Sequence, residues 1–383
     1  MTAVPSESGL PSASASASAS ASASASRADS DPTAPVGASE ILLGLNTFGD
    51  AGLDADGNPK EHAQVLRELL EEAKLADALG IHAFGVGEHH RRDFAVSAPE
   101  VFLAAAAAVT SRIRLGSAVT VLSSDDPVRV FQRFSTVDAI SNGRAEVMLG
   151  RGSFVESFPL FGLDLADYDV LFEEKLELFD KVRAQKPVHW EGRTRPNVNG
   201  LQVYPRLQHH LLPAWIGVGG TPESVLRCAE YGYPIIFAII GGEPRRFAPL
   251  VNLYRDAMAK YGHPMRQIAT HSPGFIADTD QDAREELFPH WLEQRNRIGA
   301  ERGWGPGNRG EFDAMCGPEG ALYVGSPETV AQKIVLLKRN LGVDRFDLKY
   351  SNGTLPHGSM MRCIELYGTE VAPRVAELLA NAS

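Results

Sequence analysis

Glu88, His89 and His90 follow the glycine-punctuated apolar run "FGVG" directly, and two arginines and an aspartate come next in "EHHRRDF". A histidine passes protons near neutral pH, and an adjacent carboxylate tunes how readily it does so. Such an abrupt change marks either a buried strand opening into a reaction site or a loop reaching water, and the residues alone leave both open. Metal binding is a weaker use of the pair. Neighbours in an extended chain point apart, and no HxH or HExxH spacing occurs.

Two other stretches carry the chemistry of an anion site. In "GRGSF" (150–154), Arg151 offers a forked donor between two glycines that permit close backbone approach. In "GGTPES" (219–224), Thr221 is placed to cap a helix, Pro222 suits its first turn and Ser224 lies one turn on. The free backbone N–H groups of such a turn can receive a phosphate. "GSPET" at 325–329 has nearly the same cap chemistry, so the motif by itself means only a capped helix.

The elements that must position these residues are legible as alternation. From residue 40, short β-rich runs alternate with longer segments of helical period: "ILLGLNTF", "IHAFGVG", "IRLGSAVTVL", "RAEVMLG", "PAWIGVG", "PIIFAII", "IATHSPGFIA" and "RFDLKYS". This pattern predicts an α/β fold, a (β/α)8 TIM barrel with insertions, whose catalytic residues gather at the C-terminal strand ends. His89, Arg151 and Thr221 then each lie just past a strand. A doubly wound open sheet would bring a GxGxxG turn after its first strand, and "GLNTFGDAG" lacks one.

The interruption at 151–212, with a helix around "LFEEKLELFDKVRAQ" and a hairpin from "VHWEG" to "LQVYP", is expected to fold over the barrel mouth. The glycine-rich stretch 301–320 reads as a mobile lid or surface loop. Residues 1–39 contain a Ser-Ala repeat too small in side chain to offset the entropy of ordering, so a disordered tail without buried contacts is expected, followed by one domain over 40–383.

A formal charge of -11 with no long basic block argues against nucleic acid or an anionic membrane as partner. No apolar run approaches the ~20 residues that cross a bilayer. Cys228, Cys316 and Cys363 are far apart, so neither a disulfide framework nor a zinc cluster is suggested, and a reducing cytoplasm fits.

Taken together and in order, "EHH", "RIRLGSAVTVLSSDDPVRVFQRFSTVDAISNGRAEVMLGRG" and "GVGGTPESVLRCAEYGYPII" resemble the luciferase-like flavin-dependent monooxygenases and oxidoreductases, across residues 41–376. The resemblance implies a TIM barrel holding reduced FMN, or in some branches the deazaflavin F420, at its mouth. It places the catalytic histidine at His89, an arginine near the phosphate at Arg151, and phosphate-binding hydroxyls at Thr221 and Ser224. Further cofactor contacts fall at Asn46, Gly152, Ser153, Gly219 and Gly220, and a cis peptide under the flavin at Ala118-Val119. Gly150 stands where bacterial luciferase has a reactive cysteine, and Gly220 where it has an acidic residue, so the light reaction does not carry over. What carries over is oxygenation of a small organic substrate by reduced FMN and O2, with a separate flavin reductase and a second copy of the chain as partners. Hydride transfer by F420, flavin binding without turnover, and metal-dependent hydrolysis are the alternatives.

Overall fold

The apolar runs between helical segments are buried on both faces, as parallel strands enclosed by helices must be. A computed structural model describes residues 31–54, 56–152, 154–207 and 211–381. Its strands are β1 (Leu42–Thr47), β2 (Ala83–Val86), β3 (Arg114–Ser117), β4 (Thr120–Val121), β5 (Ala145–Gly150), β6 (Val188–Trp190), β7 (Val198–Leu201), β8 (Ala214–Val218), β9 (Ile235–Ala238), β10 (Ile268–Ile276), β11 (Tyr323–Gly325) and β12 (Arg345–Lys349). The parallel ladder runs β1-β2-β3-β5-β8-β9-β10-β12 and closes from β12 onto β1, giving the (β/α)8 barrel. β4 continues the path of β3 along β5, and β11 extends β10 beyond the barrel.

The barrel interior is partly ionic, and missing side chains make room for it. The fully buried Arg345 guanidinium lies between Glu146 (2.7 Å) and Asp347 (2.7 and 2.9 Å). A Cβ at Gly44 would meet Asp347 Oδ1 at 2.1 Å, and one at Gly116 would meet Glu146 Cγ at 2.8 Å. β1 and β3 therefore carry glycine where β12 and β5 send carboxylates inward. Burial alone would raise the Glu146 carboxyl, but the Arg345 and Arg114 charges hold it down at about 2.

Three expectations change. The helix Tyr168–Arg183 is one of the barrel's own outer helices, packed on Pro127–Ser141, and the β6-β7 hairpin lies outside these two. Arg195 pairs with Asp126 at 3.1 Å, and Gln132 Nε2 donates to the Tyr204 carbonyl at 3.1 Å. Buried Val188, Trp190 and Val198 fix the hairpin there, and none of it lines the mouth. The stretch 301–320 contains a helix, Arg309–Cys316, capped by Asn308, whose side-chain oxygen accepts from Glu311 N at 3.0 Å. Phe312 anchors that helix against Phe288 and Trp291.

The tail boundary also moves. Residues 1–30 lie outside the described residues, but 31–38 pack on the barrel's lower end. Gln267 N donates to the Thr33 carbonyl at 2.8 Å, Gln267 Nε2 to that of Ala34 at 2.8 Å, and Val36 N to Asp344 Oδ1 at 3.2 Å. A chain starting at residue 39 loses all three bonds, each contributing ~1 kcal/mol. Calorimetry should find it melting at least ~3 °C below a chain starting at residue 31; equal melting temperatures would mean these contacts do not hold the segment.

Candidate active site

The C-terminal strand ends open into a cavity of about 1030 Å3, large enough for a cofactor and a small substrate together. His89, just beyond β2, donates its backbone N–H to the Val96 carbonyl at 2.9 Å. Its ring is boxed by Phe48, Phe94 and Phe154, with centroids at 4.6, 4.5 and 5.2 Å. Burial pushes its pKa down to about 3; the Asp50 charge opposes this and the Lys349 charge reinforces it. His89 is therefore a neutral imidazole at ordinary pH, suited to a hydrogen bond and not to carrying a positive charge.

His90 differs in kind. Its Nε2 lies 2.9 Å from Glu88 Oε1, while Glu88 Oε2 accepts from Val121 N at 2.8 Å. The hydrogen bond to Glu88 raises His90 above its ordinary 6.5 against the opposing effect of burial. Both residues line the cavity. The group able to hold a proton near neutrality is thus the neighbour of the histidine singled out from the sequence.

Asn46, at the cavity floor, lies 2.9 Å from His271 Nδ1 through its Nδ2, which also donates to Asp347 Oδ2 at 3.3 Å. Its buried Oδ1 has no hydrogen-bond partner among the described residues. Ala118 and Val119 line the same floor, and the peptide between them is cis, where the resemblance places one. Val119 fills space left by two glycines: a Cβ at Gly150 would lie 2.6 Å from Val119 Cγ2, and one at Gly217 would lie 3.0 Å from Cγ1. The cysteine of bacterial luciferase at position 150 does not fit beside this valine, which accounts physically for the departure.

Arg151 and the 219–224 turn, far apart in sequence, converge at one edge of the cavity. Arg151 Nη2 donates to Ser224 Oγ at 3.3 Å, and Nη1 donates to Asp169 at 2.7 Å. Thr221 is the N-cap of helix Pro222–Glu230, but its hydroxyl donates to Ser224 Oγ at 2.8 Å and makes no cap bond. The Glu223 and Ser224 amides consequently have no acceptor among the described residues. The similar turn at 325–329 is closed by the chain itself: Ser326 caps Thr329, and Asp280 accepts from Ser326 N at 2.6 Å. Gly152 (φ 78°) and Gly219 line the cavity; Gly220 (φ 120°) and Thr221 stand just outside it. Ser153 lies outside the described residues.

Sequence reasoning missed a further wall of the cavity. Helix Asp280–Arg302 contributes Trp291, Arg295 and Arg302, and Trp304 follows it. Guanidinium and aromatic groups alternate there: Arg91 over Phe154 (4.7 Å), Arg302 over both Phe154 (5.2 Å) and Trp304 (5.3 Å), and Arg295 over Trp304 (4.8 Å). Lys349 was missed too, although "RFDLK" places charges at every second residue of a barrel strand, one face of which must point inward.

A cavity at the C-terminal mouth of a (β/α)8 barrel lies where enzymes of this fold carry their active sites, and comparison with known proteins narrows the class. The model of the luciferase-like monooxygenase family matches residues 45–345, and the chain belongs to that family of oxidoreductases. Its relatives include the uncharacterized protein y4vJ of Sinorhizobium fredii, 25% identical over 85% of this chain and 96% of that one. The monooxygenase RslO1 of Streptomyces bottropensis superposes with a TM-score of 0.76 at 26% identity, covering 87% of this chain and 99% of that one. The oxygenating constituent of 3,6-diketocamphane monooxygenase from Pseudomonas putida, solved with FMN, shares the fold at TM-score 0.70 and 19% identity, covering 88% and 99%. An F420-dependent secondary alcohol dehydrogenase shares the fold as well, at TM-score 0.69 and 15% identity, covering 88% and 99%.

The Glu88-His90 pair makes a pH prediction. His90 holds its proton below its raised pKa and loses it as pH rises through that value. Glu88→Gln keeps the acceptor for Val121 N but removes the charge, leaving burial to dominate. The His90 titration followed by NMR should move from above 6.5 to below it; an unmoved titration would show that Glu88 does not set the protonation of His90.

Proposed function

We propose that this protein is a flavin-dependent monooxygenase that uses reduced FMN and O2 on a small organic substrate. The observation that carries the reading is the convergence of Arg151, Ser224 and two amides that have no acceptor among the described residues at one edge of the cavity, with His89 lining its interior. Phosphate suits that edge, where a guanidinium, a hydroxyl and a helix N-terminus all favour an anion. The residues fit a flavin in other respects. The floor is apolar at Ala118, Val119 and Met148, and Asn46 Oδ1 offers a buried acceptor with no partner among the described residues.

When bound, reduced FMN supplies the electrons that activate O2. The chain's own side chains do the rest. Arg151, Thr221 and Ser224 anchor the phosphate; Phe48, Phe94 and Phe154 keep water from the His89 side; and His89, neutral, gives one oriented hydrogen bond to cofactor or substrate. His90 holds or releases a proton at Nε2 against Glu88. The substrate lies toward Trp291, Arg302 and Trp304. Reduced flavin would come from a separate reductase, since no GxGxxG turn follows β1. The three cysteines are free and buried, in keeping with a reducing cytoplasm.

Pairing as a homodimer is part of the same reading. Helix Pro99–Val109 is apolar apart from the buried Glu100, and it turns Val101 (67% exposed) and Val109 outward, as the neighbouring helix Pro127–Ser141 does Ile140. A second copy of this chain would cover that face. Val101→Glu with Ile140→Glu should give a monomer by light scattering; a dimer persisting in this double variant would place the interface elsewhere.

Binding tests the central reading. Arg151→Ala should weaken FMN by ~10- to 150-fold, the effect of losing one charge-assisted hydrogen bond. Riboflavin, lacking the phosphate, should bind poorly and be nearly indifferent to the substitution, as flavin fluorescence would show. Equal weakening of both ligands would remove Arg151 from the phosphate site. Tight binding of F420 with none of FMN would replace the cofactor.

A further inference from the structure

Several buried polar side chains that the proposed chemistry leaves unused form one row from the cavity to the outer surface. Lys349, at the end of β12, lines the cavity and donates to both Asp50 oxygens at 3.0 Å. Ser351 Oγ donates to Asp50 Oδ2 at 2.6 Å and lies 2.8 Å from Thr47 Oγ1. The Tyr350 hydroxyl also interacts with Thr47, and it donates to Glu72 Oε2 at 2.5 Å. Glu72 Oε1 lies 2.9 Å from His357 Nδ1. The His357 side chain is 24% exposed, whereas those of Glu72, Asp50 and Lys349 are 3%, 2% and 6% exposed.

A second, much smaller void of about 10 Å3 runs beside this row, lined by Thr47, Asp50, Glu68, Glu72 and Ser351, and its size is on the scale of one water. Burying so many ionisable groups is costly unless each is paired. Lys60, which lines the same void, pairs with Glu68 at 2.8 Å, and the bonds of Glu72 go to His357 and Tyr350. Burial pushes the Glu72 carboxyl up and the Lys349 ammonium down, so both exchange protons more readily near neutrality than their exposed counterparts.

We propose that this row is a proton path from solvent at His357 to the Lys349 ammonium in the cavity. His357 passes its Nδ1 proton to Glu72 and takes another from water at Nε2. Glu72 protonates the Tyr350 oxygen as Tyr350 gives its own proton to Thr47; Thr47 passes one to Ser351, Ser351 to Asp50, and Asp50 to the Lys349 amine left once the ammonium has given a proton to the reaction in the cavity. Each hydroxyl gains one proton and loses one, so one proton crosses and no charge remains on the row. Its use rests on the monooxygenase reading: reduced flavin anion, O2, substrate and one proton give oxidised flavin, oxygenated substrate and water. Once cofactor and substrate fill the mouth, a route through the barrel wall supplies that proton.

The test reads proton movement without flavin, substrate or turnover, so it fails or succeeds independently of the monooxygenase reading. In full-length protein labelled with 15N-lysine, the exchange rate of the Lys349 ammonium protons with water is measured by NMR, with the signal assigned by its loss in Lys349→Met. Thr47→Val removes the central hydroxyl while keeping the side-chain shape, and it should slow exchange by ~10-fold or more. Thr47→Ser should restore the wild-type rate, and Ser351→Ala should slow it as Thr47→Val does. Wild-type exchange in Thr47→Val or in Ser351→Ala would show that protons reach Lys349 from the mouth and overturn the path. Slow exchange in Thr47→Ser would overturn it as well, because packing and not the hydroxyl would then be responsible.

Discussion

Arg345 has no solvent access, and satisfying its charge inside the barrel constrains the floor of the cavity. An uncompensated buried ion would cost several kcal/mol, so the guanidinium must be met on more than one side. Glu146 and Asp347 do this, with the Trp215 ring 5.3 Å from its carbon. The carboxylates need space, which Gly44 and Gly116 leave open. Asp347 in turn accepts from Asn46, which contacts His271, and Asn46 needs Gly85, where a Cβ would come within 2.2 Å of its Oδ1. One buried charge thus accounts for glycines on three strands and for the orientation of Asn46.

Above that floor, electrostatics divide two adjacent histidines. His89 is buried, ringed by phenylalanines and held neutral. His90 faces Glu88, which is itself fixed by a backbone N–H of β4. Adjacent residues in an extended chain point to opposite sides, so one motif supplies both a neutral hydrogen-bonding ring and a proton-holding ring. The phosphate-favouring edge depends on a comparable separation. Asp280 satisfies the 325–329 turn, whereas two amides of the 219–224 turn, beside Arg151, have no acceptor among the described residues.

The barrel was legible because strands buried on both faces read as apolar runs, and glycine or a charged residue follows most of them where they reach the mouth. The convergence of Arg151 with Ser224 followed from strand order, and the cis peptide at Ala118-Val119 from family resemblance. The hairpin at 188–201 was misplaced because alternation shows that Val188, Trp190 and Val198 are buried, not against which surface. Residues 31–38 looked like tail because their contacts are mainly backbone hydrogen bonds, which leave no compositional trace. The further cavity wall was hidden because Arg295 and Arg302 belong to a charge-rich helix in which nothing marks which charges face the cavity, and Trp304 lies in the irregular stretch after it. The inward charges of "RFDLK" were readable in principle, since alternation in a barrel strand sends one set of them to the axis.

A bound flavin should put its phosphate at the Arg151 edge of the cavity. A crystal structure of the protein with FMN should show that group accepting from Arg151, Ser224 and the free amides of helix Pro222–Glu230, with the ring over Ala118-Val119 and within reach of His89. A phosphate bound instead at the Arg295-Arg302 wall, with the ring away from the Ala118-Val119 floor, would contradict it.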